Sequence, residues 1–461
     1  LSGFQDYNDR TAFIRGLAHE MSNSNASGSR RGGQAAPRAH GTLTVLQGAA
    51  LYIGAVLGTG VIALPAMAAD VAGPASLLAW LALVVLSAPL AATFAALGAR
   101  YPDAGGVATY ARQAFGPRAS AIVGWCFYFA VPAGAPAAAI FAGAYVAAAV
   151  GGGEHTVWLT SAALLTVVTA ANAFGVTISG RMQLVLSTLL VVLLLTAVAA
   201  SAPHADASNL RPFAPHGWLA VVPAAALLVW SFAGWEAITH LAGEFKHPSR
   251  DLPLASAIAV VVVGVLYLAV AAASILVLGP SAGRSRAPLA ELLVVGVGGN
   301  VRVLAAGAAL LLTLGTMNAY FTGAAKLGAA LGRDGALPSW LAAGSLAGDV
   351  PRRSLGVLCA LAALSTIAVA IAGVGAKPLV LLATGSFVTV YALGCAAALR
   401  LLPRGTAAHR CAQAALVCVV ALCAATGWFL LWPLVMSGCA LLYLRFNRRR
   451  ARHPNVHCDV S

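Results

Sequence analysis

The chain has 461 residues, 60% of them hydrophobic and only 9% charged, against about 25% charged in an ordinary soluble domain. So apolar a chain has too few polar groups to cover a water-facing surface, which excludes a soluble globular enzyme. A net charge of +14 would suggest a nucleic-acid partner in a soluble protein; here it is read as Lys and Arg in loops and tails beside a lipid bilayer, and no nucleic acid is expected.

Residues 1–44 are polar, rich in Ser, Gly and Arg, and lack a long apolar core. They are expected to form a disordered cytoplasmic tail rather than a cleavable signal, with Met21 a candidate start. A membrane-spanning helix needs about 20 largely apolar residues. Runs of that kind fall at 45–70, 74–99, 119–150, 156–175, 182–202, 218–241, 254–279, 300–328, 354–374, 377–399, 411–427 and 428–445. They predict an all-α membrane protein of about 12 transmembrane helices, the last two dividing near Gly427–Pro433. The loop 100–118 mixes Tyr101, Tyr110 and Phe115 with Arg and Gly, and predicts a short interfacial or re-entrant helix. Residues 446–461 form a basic tail.

Orientation follows from the basic residues, which concentrate on the cytoplasmic side. With the N-terminus inside, 23 of the 28 Lys and Arg fall in cytoplasmic tails, loops and helix ends. The other five are Arg211, Arg284, Arg286, Arg302 and Lys377. The expected location is therefore the cell (inner) membrane, multi-pass, with both termini cytoplasmic. The eight cysteines show no CxxC pair, and are read as reduced packing residues.

Two spans are expected to be broken near their middles. Backbone polar groups cannot stay bare in hydrocarbon, so an interrupted helix marks a place where protein or ligand satisfies them. The first span carries Gly58, Thr59 and Gly60 near its centre, with Pro65 following. Taken alone, this could equally be close helix packing. The sixth span carries Ser231 and Gly234, followed by Glu236, a carboxylate in an apolar segment; such charges are costly and usually functional. The two breaks occupy the same place in two successive five-helix blocks, 45–202 and 218–399. Paired interruptions of this kind point to an inverted-repeat transporter. Helix N-termini favour anions, so amides freed at Gly58 to Gly60 would hold a carboxylate. Carbonyls freed at Trp230 to Ala233 would hold an ammonium. Such a site suits the backbone of an amino acid.

The motifs GTGVIALP (58–65), PDAGGVATYARQAFGP (102–117), NAFGV (172–176), WSFAGWEA (230–237), GEFKHPSRDLP (243–253) and KLGAALGRDGALP (326–338) follow one another along nearly the whole spanning region. In this set and order the chain resembles the amino acid–polyamine–organocation (APC) superfamily. The resemblance implies a LeuT-like fold of five plus five inverted-repeat helices, with helices 1 and 6 broken and two helices added at 411–445. It implies amino-acid uptake, exchange or efflux, with no cofactor, nucleotide or metal. Segment 230–236 is similar to the sixth helix of the family's arginine–agmatine antiporters. By that likeness Gly58, Thr59, Gly60, Trp230 and Ala233 contact substrate and Tyr320 is an aromatic gate. Val56, Val131, Ala135 and Ser231 complete the expected substrate-binding set.

Two departures shape the expected substrate and coupling. Ala135 stands where those antiporters offer an Asn, which argues against a guanidinium. The PxxxP of Pro132 and Pro136, within 129–139, instead resembles the family's exporters of methionine and branched-chain amino acids. Proton-driven members place a Lys on the fifth helix, where Leu190 stands here, and 182–202 has no Lys. Glu236 is the coupling candidate, by a proton. His240 and Glu244 follow it at four-residue spacing on one helix face, either as a relay to the cytoplasm or as part of a helix-end loop; as metal ligands they lack further partners nearby. The function expected is secondary active transport of neutral apolar L-amino acids, with efflux favoured. The alternatives are a proton-coupled amino-acid importer and a basic amino-acid or polyamine antiporter. A membrane enzyme finds no HExxH, paired intramembrane Asp or phosphate loop, so no catalytic residue is assigned. The oligomer expected is a monomer or homodimer.

Overall fold

The computed structural model describes residues 43–101, 106–175, 180–236, 242, 245–299, 301–344 and 350–452, without the side chains of 180–183 and 448–452. The expected tail 1–42, His240, Glu244, Cys458 and part of the 102–117 motif lie outside them. The described chain is helical, and its only ladder-type pairing is an isolated bridge between Leu43 and Phe245.

The helices in chain order are α1 (Val45–Leu57), α2 (Gly60–Ala72), α3 (Ser76–Arg100), α4 (Gly106–Phe115), α5 (Pro117–Val150), α6 (Glu154–Ala173), α7 (Gly180–Ser201), α8 (Val221–Leu228), α9 (Pro248–Leu278), α10 (Pro288–Val297), α11 (Val301–Arg333), α12 (Arg352–Ala372), α13 (Lys377–Leu401), α14 (Ala407–Thr426) and α15 (Leu431–Arg452). Among the described residues, nine helical stretches are long and apolar enough to cross a membrane. Two of these run for 41 residues, because adjoining helices meet through short 3-10 turns. One turn begins at Gly73 (φ 59°) and the other at Gly427 (φ 59°). The second falls at the start of the predicted boundary between the last two spans. The interfacial segment contains the predicted short helix, α4.

α10 was not anticipated. Its ten residues are too short to span, and they fall in what reads as a loop. Pro288 at its first position suits a helix start, where the missing N–H costs nothing.

α5 lies at the centre. Within its apolar window 78% of residues are buried, against 22% for α12 and 17% for the stretch containing α14 and α15, so the last two helices and α12 lie at the periphery. Small residues let neighbours approach α5 closely. A Cβ at Gly143 would sit 2.6 Å from the Val157 carbonyl of α6. α5 packs against α11 and α13, and α3 packs against α9.

The first span is broken. α1 starts with a capping box in which Thr44 accepts from Gln47 N–H and the Gln47 side chain answers the Thr44 N–H. It stops at Gly58 (φ 32°, ψ −147°), a conformation that a residue with a Cβ rarely takes. α2 then begins at Gly60 without a side-chain cap. The sixth span is broken too: α8 tightens into a 3-10 turn over Val229–Phe232 and ends at Ala233 in extended conformation. Gly234 follows at φ 129°. A Cβ there would lie 3.0 Å from the carbonyl oxygen of Ala55, so this glycine lets the second break rest against the first. Below them, Lys246 N–H donates to the Leu43 carbonyl at 3.2 Å, joining the approaches to the two broken spans.

Candidate functional site

Both breaks open on one cavity, with about 530 Å³ of space free of atoms including its open part. The first break contributes Ala55, Val56, Gly58, Thr59 and Gly60; α5 contributes Ala130, Val131, Gly134, Ala135 and Ala138. The second break supplies Trp230 and Ala233, α11 supplies Thr316, Met317 and Tyr320, and α13 supplies Phe387. None of these side chains is charged.

The polar end of the cavity is built from backbone. The first N–H groups of a helix have no partner inside it. α2 has no side-chain cap and no acidic residue in its first turn. Its positive end therefore lies at the cavity at Thr59 and Gly60 without an anion of its own; the Gly58 amide, expected to be freed, instead closes α1 by donating to the Gly54 carbonyl at 3.4 Å.

The opposite wall is apolar. The Trp230 indole lies against α5, where a Cβ at Gly134 would come within 2.8 Å of its Cη2. Phe387 meets the same indole nearly edge-on at 6.5 Å between centroids, and is itself met edge-on by Phe127 at 5.9 Å.

Buried tyrosines hold the broken backbone in place. The Tyr267 hydroxyl on α9 is within 2.7 Å of the Val56 carbonyl and 2.6 Å of the Ser231 carbonyl. One proton thus serves a carbonyl from each break. The Tyr267 ring is wedged between Trp80 at 5.0 Å and Phe232 at 5.1 Å. On α13, the Tyr391 hydroxyl donates to Glu236 Oε2 at 2.5 Å, and the Gly234 N–H also reaches that oxygen at 3.0 Å. Glu236 is buried and is not part of the cavity wall. Its carboxylate folds back on its own break.

Of the ten residues expected to contact substrate, nine line this cavity: Val56, Gly58, Thr59, Gly60, Val131, Ala135, Trp230, Ala233 and Tyr320. Ser231 stands behind the wall instead. It packs on Gly60, where a Cβ would collide with its side chain. The carbonyls expected to face an ammonium are partly engaged: Trp230 accepts from Ala233 N–H at 3.3 Å and Ser231 from Tyr267. Each keeps a second lone pair.

Sequence reasoning missed Thr316, Met317 and Phe387 in the wall, and Tyr267 and Tyr391 behind it. A tyrosine in a lipid-embedded helix must find a partner for its hydroxyl, and that was the available signal for the last two. Among the described residues no group of three or more His, Cys, Asp or Glu could hold a metal.

Comparisons with known proteins identify the family. The profile of the amino acid permease family matches residues 43–457. The chain is 33% identical to the uncharacterized amino acid permease YecA of Bacillus subtilis, over 89% of this chain and 96% of that protein. It is 31% identical to the L-methionine/branched-chain amino acid exporter YjeH of Escherichia coli, over 90% and 98% respectively. To the branched-chain amino acid permease BcaP of Bacillus subtilis it is 27% identical over 48% and 52%. With apolar spanning helices and a cavity at two broken ones, the chain belongs to the amino acid permease family of the APC superfamily, and is a multi-pass cell-membrane transporter rather than an enzyme.

Proposed function

We propose that this permease is a secondary active transporter of neutral, apolar L-amino acids, working chiefly as an exporter. The observation that carries the proposal is the cavity's two-ended chemistry. At one end the uncapped N-terminus of α2 suits a substrate carboxylate. At the other, the wall of Ala130, Val131, Ala135, Ala138, Met317 and Phe387 suits an aliphatic side chain. A guanidinium or second ammonium would be buried there without a counter-charge, at a cost of several kcal/mol. The substrate ammonium takes the remaining lone pairs of carbonyls at Ala55 and at Trp230 to Ala233. Export is supported by likeness to the methionine and branched-chain exporter along nearly its whole length.

The working architecture is twelve crossings, in which residues 45–202 and 218–399 form two inverted five-helix repeats and 411–445 two added helices. The pairings of α3 with α9 and of α5 with α11, the second and third spans of each block, support this arrangement. Glu236 is the coupling candidate, and acts on the second break rather than by touching substrate. Purified protein in liposomes loaded with leucine should accumulate labelled leucine and methionine by counterflow. Counterflow of arginine in place of leucine would overturn the substrate reading.

A further inference from the structure

α10 has a place that the substrate site does not explain. It packs against α2, α7 and α11, at the end of the molecule that the loop charges assign to the outside. α2 is the half of the first span leading outward from the cavity. Its far turns are covered by the 3-10 turn Gly279–Arg284, where a Cβ at Gly283 would come 2.7 Å from the Asp70 backbone. Ala69 of α2 is buried there with Ile275 and Ala282.

One side chain ties these parts to α5. The hydroxyl of Tyr145, itself buried, donates to the Ile62 carbonyl of α2 at 2.6 Å. The same oxygen accepts the Leu289 N–H of α10 at 3.2 Å. Both partners are available for a physical reason. Leu289 is the second residue of α10, whose start has no side-chain cap, so its N–H needs an acceptor from elsewhere. Ile62 lies in the turn before Pro65 of α2; the proline removes the donor of the neighbouring Val61 carbonyl, and the Ile62 carbonyl keeps a second lone pair beside its helical bond. The tyrosine is thus the cap of α10 and a brace on α2 at once.

We propose that Tyr145 is a positioning residue for transport: its hydroxyl latches the outward half of the broken first span to the short helix α10, and so holds the outward route from the cavity shut. Opening to the outside breaks the Ile62 bond, the Leu289 bond, or both. The proposal rests on the transport reading for its role in the cycle, but not for its test.

The test is an accessibility measurement. Ala69→Cys places a thiol beneath the Gly279–Arg284 turn, against the chain without that cysteine as background. Labelling by a membrane-impermeant maleimide is timed from each face of membrane vesicles, with and without Tyr145→Phe. Loss of one buried hydrogen bond should raise the labelling rate about fivefold, from the outer face only. An unchanged rate, or a rise from the inner face alone, would overturn the latch. Failure of leucine counterflow by the parent chain would count against the substrate reading and leave this measurement intact. Should Tyr145→Phe not reach the membrane, hydrogen exchange on the parent chain decides. A Leu289 amide as slow as the interior of α10 supports the latch, and one as fast as an uncapped first-turn amide contradicts it.

Discussion

At the scale of single residues, the cavity is shaped by side chains that are absent as much as by those present. Gly134 lets the Trp230 indole lie on α5. With Cη2 only 2.8 Å from a Cβ there, Gly134→Ala must push the indole into the cavity. Leucine counterflow should show a half-saturating concentration raised several-fold, while the protein's melting temperature in detergent changes little; an unchanged concentration would remove Trp230 from the substrate wall. Glu236 gives a second prediction. Glu236→Gln keeps an oxygen to accept from Tyr391 and Gly234 but cannot ionise. The break should survive, and if a proton on this carboxylate drives transport, the dependence of rate on pH should flatten. A variant with the parent pH profile would take Glu236 out of coupling and leave it as a structural brace.

The residues legible in the sequence were those whose type is improbable in hydrocarbon. Gly58 to Gly60, and Ser231, Gly234 and Glu236, stand out in apolar runs, and both breaks lie among them. Ala135 was legible only by resemblance. Met317, Thr316 and Phe387 were not legible, since an apolar or hydroxyl residue on a membrane helix faces lipid, core or cavity according to helix rotation. That rotation is fixed by tertiary packing.

At the scale of elements, the breaks persist because their carbonyls are answered from outside. Tyr267→Phe removes the one donor that serves Val56 of α1 and Ser231 of the second break. A buried carbonyl left unmatched costs about 1–3 kcal/mol, so thermal unfolding in detergent should move to lower temperature and counterflow should slow. Full stability and full rate would show that water replaces the hydroxyl. A contrasting weak effect is expected at the ion pair between Arg112 of α4 and Asp334, 2.9 Å apart. Its side chains are 53% and 34% exposed, and pairs of this kind contribute under about 1 kcal/mol. Asp334→Asn should therefore leave the melting temperature nearly unchanged. The spans were legible as elements because lipid demands long apolar runs. α10 was not, because ten apolar residues between two spans read as a loop. Only the Tyr145 hydroxyl and the neighbouring helices show that it is held.

At the scale of the whole molecule, two interrupted helices leave a cavity deep among the others, and the interruption supplies the polar groups that an apolar wall lacks. On the proposed reading, such a site would recognise an amino acid by its backbone charges and select among amino acids by exclusion, since a charged side chain would find no partner in the wall. The same proposal has the half-helices move against α5 and α11, with tyrosines on α5, α9 and α13 as the points of attachment. The most direct test of this account is competition for binding of labelled leucine to the purified protein. Unlabelled leucine and methionine should displace it, leucine methyl ester should be weakened at least tenfold for want of a carboxylate, and arginine should fail. Equal displacement by the ester, or displacement by arginine as effective as by leucine, would contradict a carboxylate held at the start of α2 and an apolar wall opposite.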